Sequence, residues 1–126
     1  EHIRDDLQTL EQCHQLLNPR GRLILFVPAL KILHGTVDRA DSHYRRYTRN
    51  ELTNKLKKVG FTVEKAGYAN FFGIIPWFLH GKILKKSVHP PKQMVFFDKL
   101  VPFFTSWERL FAPPVGLSLL FICQKE

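Results

Sequence analysis

The run Arg22 to Pro28, Arg-Leu-Ile-Leu-Phe-Val-Pro, is apolar without interruption after its first residue and rich in β-formers. Asn18-Pro19-Arg20-Gly21 punctuates it on one side and Pro28 ends it on the other. A half-exposed strand alternates apolar and polar positions, and this run does not. It predicts a strand with both faces buried, in a sheet covered by helices on both sides. An open α/β sheet binds its ligands just past the carboxyl ends of such strands. The polar stretch that follows, Ala29 to Tyr47, is therefore where chemistry is expected. Connections of that length in a compact domain are usually functional or mobile.

Upstream, Ile3, Leu7, Leu10, His14 and Leu17 recur at helical spacing and predict an amphipathic helix. Asp5 and Asp6 fall in its first turn, at the positive end of the helix dipole. Asn18-Pro19 stops it, because proline disfavours the α conformation at the residue before it. Helix, tight turn and buried strand make half of a βαβ unit. Downstream, Thr48-Arg-Asn-Glu51 reads as a capping box, with Glu51 reaching back to the cap. Leu52, Leu56 and Val59 line one helix face, and Lys55, Lys57 and Lys58 sit near its negative end. Gly60 supplies a left-handed stop. Phe61 to Tyr68 alternates, Phe61 and Val63 against Thr62 and Glu64, and predicts a strand near a sheet edge.

Asn70 to Pro114 breaks this rhythm. Phe71, Phe72, Ile74, Ile75, Trp77, Phe78 and Leu79 crowd together, followed by Lys82, Lys85 and Lys86. Pro90-Pro91 interrupts the chain, and Met94 to Phe111 is a second apolar stretch containing Pro102. A helical hairpin is expected here, each arm kinked at its proline. Gly116 to Cys123 is again almost continuously apolar and predicts a third strand buried on both faces.

Composition changes this picture little. With 126 residues the chain suits one domain with a modest core, and 44% hydrophobic residues exclude a disordered chain. The net charge of +8 is spread along the chain, as on a soluble lysine-rich surface; the functional alternative is an anionic partner. Cys13 and Cys123 have no paired spacing or metal motif and read as small buried hydrophobes in a reducing, cytoplasmic setting. No signal peptide is evident, and Phe71–Leu79 is about half the ~20 residues of a spanning helix. The start at Glu1-His2 rather than Met, close to a helix, suggests a piece of a longer protein.

The order of these elements is familiar. Glu1-His2-Ile3 before an acidic helix resembles the Leu-Glu-His-Ile junction after the fourth strand of class I S-adenosylmethionine-dependent methyltransferases. Asn18-Pro19-Arg20-Gly21-Arg22-Leu23 resembles their entry to the fifth strand. Tyr47-Thr48-Arg49-Asn50-Glu51-Leu52 with Gly60-Phe61 resembles the following helix and sixth strand. Asp38, His43, Arg45, Arg46 and Tyr47 match the pattern Asp-x-x-x-x-His-x-Arg-Arg-Tyr of one group. The resemblance implies an α/β, Rossmann-like methyltransferase fold, of which residues 1–126 are the carboxyl-terminal half. The implied sheet is mixed and three-stranded, its last strand antiparallel between the other two, with flanking helices and a helical hairpin insertion over about 70–114. The glycine-rich cofactor loop, Gly-x-Gly-x-Gly, is absent from the sequence. The implied cofactor is S-adenosylmethionine, touched here only at its edge by Glu1 and His2.

Several side chains carry the expected chemistry. His2 is the catalytic candidate, as a polar contact or base near neutral pH, against a plain helix-capping role. Asp38, His43, Arg45, Arg46, Tyr47 and His34 are the substrate-binding candidates. Two adjacent arginines can clamp a carboxylate or phosphate; alternatively Asp38 pairs internally with Arg45 or Arg46 and Tyr47 packs beneath the cap. His14 reads as a core residue. His80 and His89 flank the hairpin without a metal-ligand partner in sequence, so no metal is assigned. The aromatic hairpin packs on the sheet, or residues 71–86 contact a membrane surface. The expected activity is methyl transfer to a small molecule, lipid or glycan, with this piece alone inactive. Rival readings are a non-catalytic module that self-associates as a homodimer by strand or segment exchange and, more weakly, an RNA-directed methyltransferase.

Overall fold

The computed structural model describes residues 1–85 and 91–126, without the side chains of 91–94, 96 and 97. Met94, Lys86, His89 and Pro90, singled out above, therefore lie wholly or in their side chains outside the described residues. Helix α1 (Asp6–Leu16) leads into strand β1 (Arg22–Pro28). Helices α2 (Thr36–Ala40) and α3 (Arg49–Val59) precede strand β2 (Phe61–Ala69). Helix α4 (Ile74–Phe78) runs into a π turn over Leu79–Ile83, and α5 (Pro91–Phe111) precedes strand β3 (Ser118–Lys125).

The three strands form one open sheet in the order β1-β3-β2. The last strand lies between the others, antiparallel to both, so every hydrogen-bonded ladder is antiparallel and the sheet is not a mixed one. Register explains the core. Leu25 and Ala66 flank Phe121, while Leu23 and Val63 flank Cys123, all on one face. Leu10 of α1 and Leu52 and Leu56 of α3 pack on that face, where Phe61, Leu119, Phe121 and Cys123 are buried.

The other face corrects the expectation that β1 and β3 are buried on both sides. Ile24 is 66% and Phe26 57% exposed, and their neighbours Leu120 and Ile122 are only half-buried. An apolar run cannot by itself state what covers it; among the described residues, the core cluster draws helices α1 and α3 to one face only. Strand β2 is at an edge as expected, but a bulge between Val63 and Lys65 resets its alternation so that Ala66 and Tyr68 turn inward.

Local signals hold in detail. Asp5 caps α1 by accepting from the Gln8 amide, while Ile3 lies ahead of the helix and is exposed. Thr48 caps α3, accepting from the Glu51 amide at 3.3 Å. The reciprocal half of the box is replaced, since Glu51 turns instead to Lys31 at 2.7 Å and Lys55 at 3.7 Å. Gly60 ends α3 at φ 101°, a conformation that suits glycine. Pro76 falls within α4 and Pro102 inside α5. The arms meet through stacked Phe72 and Phe104, 4.3 Å between ring centres, and Glu108 accepts from the Asn70 and Phe71 amides. The aromatic cluster thus packs largely on itself. No helix among the described residues is long and apolar enough to cross a membrane.

Candidate functional site

The connection after β1 is more ordered than its polarity suggests. Leu30 adopts left-handed backbone at φ 61° and opens a 3₁₀ turn over Lys31–Leu33. The chain then forms α2 and returns to its start, with the Tyr47 amide donating to the Pro28 carbonyl at 2.8 Å. Residues far apart in sequence are thereby gathered at the carboxyl end of β1. The Tyr44 amide donates to the Glu1 carbonyl at 2.8 Å and fixes the amino-terminal residues beside this loop.

Asp38 is the pivot. Its side chain is wholly buried and accepts from Arg46 Nε at 2.7 Å, from the Gly35 amide at 3.0 Å and from His43 Nδ1 at 3.3 Å. Burial alone would raise its pKa, but the Arg46 guanidinium, the Gly35 amide and His43 together hold it below the ordinary carboxylate value. A carboxylate only accepts, so Nδ1 is the donor in the contact between His43 and Asp38. Arg46 is completed by the Ala29 carbonyl at 2.9 Å and by the Trp77 ring, 4.8 Å away. His34 supports the same loop through Nε2 and the His43 carbonyl at 3.1 Å.

Arg45 and Tyr47 face elsewhere. Asp6 accepts from Lys55 Nζ at 2.6 Å and from the Tyr47 hydroxyl at 2.8 Å, and pairs with Arg45 at 3.0 Å. Burial works against ionised Asp6, yet Lys55, Tyr47 and Arg45 lower its pKa. Burial, then the Asp6 charge, drives the Tyr47 pKa upward. The two adjacent guanidiniums thus part rather than converge, each matched by its own carboxylate. Arg46 and Asp38 form an internal ion pair, and Tyr47 is buried with its hydroxyl on Asp6.

A cavity of about 180 Å³ opens at this end of β1, lined by Glu1, Pro28, His43, Arg46, Trp77 and Ser118 among others. Glu1, His2 and His43 meet at its rim. The His2 and His43 rings pack edge to face with centres 4.6 Å apart, and His2 Nε2 lies 3.8 Å from Glu1 Oε1. Trp77 and the Asp6 hub escaped sequence reasoning; the only available signal was an acidic residue in the first turn of α1. His14 packs edge-on to Phe61 at 5.0 Å, and the thiol of buried Cys123 is pushed up to about 11 by burial and by the charge of Glu64. The chain matches no protein-family model and no curated protein.

Proposed function

We propose that this chain is the carboxyl-terminal half of a Rossmann-like, S-adenosylmethionine-dependent methyltransferase domain, forming the acceptor side of its site. One observation carries the reading: the last strand runs antiparallel between β1 and β2, and the cavity lies at the carboxyl end of β1 where the Glu-His pair meets the Asp-His-Arg-Arg-Tyr loop. The residues present do not fit the whole cofactor. The cavity is about 180 Å³, below the roughly 300–1,000 Å³ of ligand pockets, and no glycine-rich loop is in the sequence. No transfer step is therefore assigned to these residues. What they do is orient and exclude: Arg46 and Asp38 brace the loop, and His43 and Glu1 edge the cavity.

The test is calorimetric titration of S-adenosylmethionine into the full-length protein and into this chain. Binding by the full-length protein with little or none by the chain is the expected result. A full-length protein that binds no cofactor yet sediments as a dimer would replace this reading with the self-associating module, whose surface would be the exposed Ile24 and Phe26 on edge strand β1.

Among acceptors, a lipid is favoured by the arm after β2. Ile75 is 69%, Ile83 57% and Leu84 53% exposed, beside exposed Lys82 and Lys85. Apolar side chains rimmed by lysine suit an anionic lipid interface. The chain is expected to float with phosphatidylserine-containing vesicles and to lose at least tenfold in binding when Ile83 and Leu84 become serine. Failure of the unaltered chain to float would remove the lipid acceptor.

A further inference from the structure

From the geometry at the cavity rim we infer that Glu1, His2 and His43 form a binding site for a divalent transition-metal ion. Each offers one donor atom, and the three atoms lie within 4.8 Å of one another. Metal–ligand bonds of about 2.0–2.2 Å set tetrahedral donors about 3.4 Å apart. The His2 side chain, 57% exposed, is free to swing the remaining distance.

A second observation separates this trio from a chance surface cluster. Metal-bound histidines characteristically donate their other ring nitrogen to a carboxylate, which fixes the tautomer and raises ligand basicity. His43 has that partner in Asp38, a carboxylate with no exposed surface that is itself locked by Arg46 and the Gly35 amide. A buried carboxylate within hydrogen-bond reach of Nδ1 leaves Nε2 as the ring nitrogen open to a ligand. His34 holds the backbone of the same residue. The positioning apparatus around His43 is thus larger than a histidine at a loop surface needs.

Two imidazoles and a carboxylate select borderline ions of the zinc and iron(II) type over magnesium or calcium, which prefer all-oxygen shells. Three protein ligands leave coordination positions open, as in catalytic rather than structural sites. Glu1 and His43 line the cavity, so those positions are available to an oxygen donor of a small molecule bound there.

The experiment is titration of the chain with Co2+, read by its visible absorption, followed by displacement with Zn2+. One ion per chain is expected. His2→Ala and Glu1→Gln should each weaken binding at least tenfold while leaving the circular dichroism spectrum unchanged, since neither side chain is in the core. Asp38→Asn should weaken it by about 10–100-fold, measured under conditions where circular dichroism shows the variant folded, because the change also removes the charge that pairs with Arg46. His14→Ala, beside Phe61, should change nothing. Absence of stoichiometric binding, or binding equal in the His2→Ala protein, overturns the site. The outcome is independent of methyl transfer: a chain that holds the ion in a protein that ignores S-adenosylmethionine would keep the metal site and lose the proposed function.

Discussion

Asp38→Ala is expected to destabilise the chain by about 3–5 kcal/mol, the usual cost of stranding one partner of a buried ion pair. Arg46 is 2% exposed and would keep its charge with only the Ala29 carbonyl and the Trp77 ring beside it. A domain of this size has roughly 5–15 kcal/mol in all, so the urea midpoint should fall steeply. The pair also predicts its own signature. Removing Arg46 as well should cost less than the two single changes summed, because neither charge is then left alone. Additive losses in that cycle would mean that the pair is not coupled.

The same residue sets an acid dependence. The folded-state pKa of Asp38 is depressed, so its contribution is complete above the ordinary value of 3.8 and is lost as pH falls through the lowered folded value. Asp6 acts in the same direction. Denaturation followed from pH 6 downward should therefore show the unaltered chain losing stability below about pH 4, and the Asp38→Asn protein losing less over that window. An identical acid limb in both proteins would contradict the assignment.

Phe121→Ala carries the second large effect, about 3–5 kcal/mol for an aromatic ring removed from a closed core. Phe121 has no exposed surface and stands in the middle strand between Leu25 and Ala66. Phe26→Ala removes the same atoms from a site that is 57% exposed, and is expected to stay within about 1 kcal/mol. Chemical denaturation of the two proteins side by side measures the difference. Equal losses would mean that Phe26 is covered, and that the open face of β1 is not open.

The contrast between these two phenylalanines shows where sequence reasoning stopped. Both sit in apolar runs of similar length and composition. Periodicity located the strands because it reflects which residues can pair in a sheet. It could not separate the faces, since an apolar residue carries no mark of whether a neighbour will cover it. The alternation of β2 was legible only as far as Val63, because the bulge that follows comes from pairing with β3. The loop after β1 was located by its polarity and length. Its α2 helix was not, because that helix hangs on the Asp38 side chain accepting from the Gly35 amide, a contact with no periodic trace.

The candidate site divides along the same line. Asp38, His43, Arg45, Arg46 and Tyr47 stood out as chemically able residues in one short stretch. Three of the five reach Glu1 or Asp6 through contacts that the sequence does not announce, His43 the former and Arg45 and Tyr47 the latter. Adjacent arginines looked like a clamp, yet successive residues of an extended segment point to opposite sides. Arg46 therefore turns inward to Asp38, and Arg45 to Asp6.

By itself the sequence determined the local elements: the caps at Thr48 and Gly60, the turn at Asn18–Gly21, the apolar strands and the place of the polar loop. These follow from short-range sterics and hydrogen bonding, which neighbouring residues settle among themselves. Only the tertiary structure decided which face of β1 is covered, which carboxylate neutralises which guanidinium, and that Glu1, His2 and His43 meet. Those outcomes depend on chain closure over long separations, where register and burial, rather than local preference, choose among partners of equal chemistry.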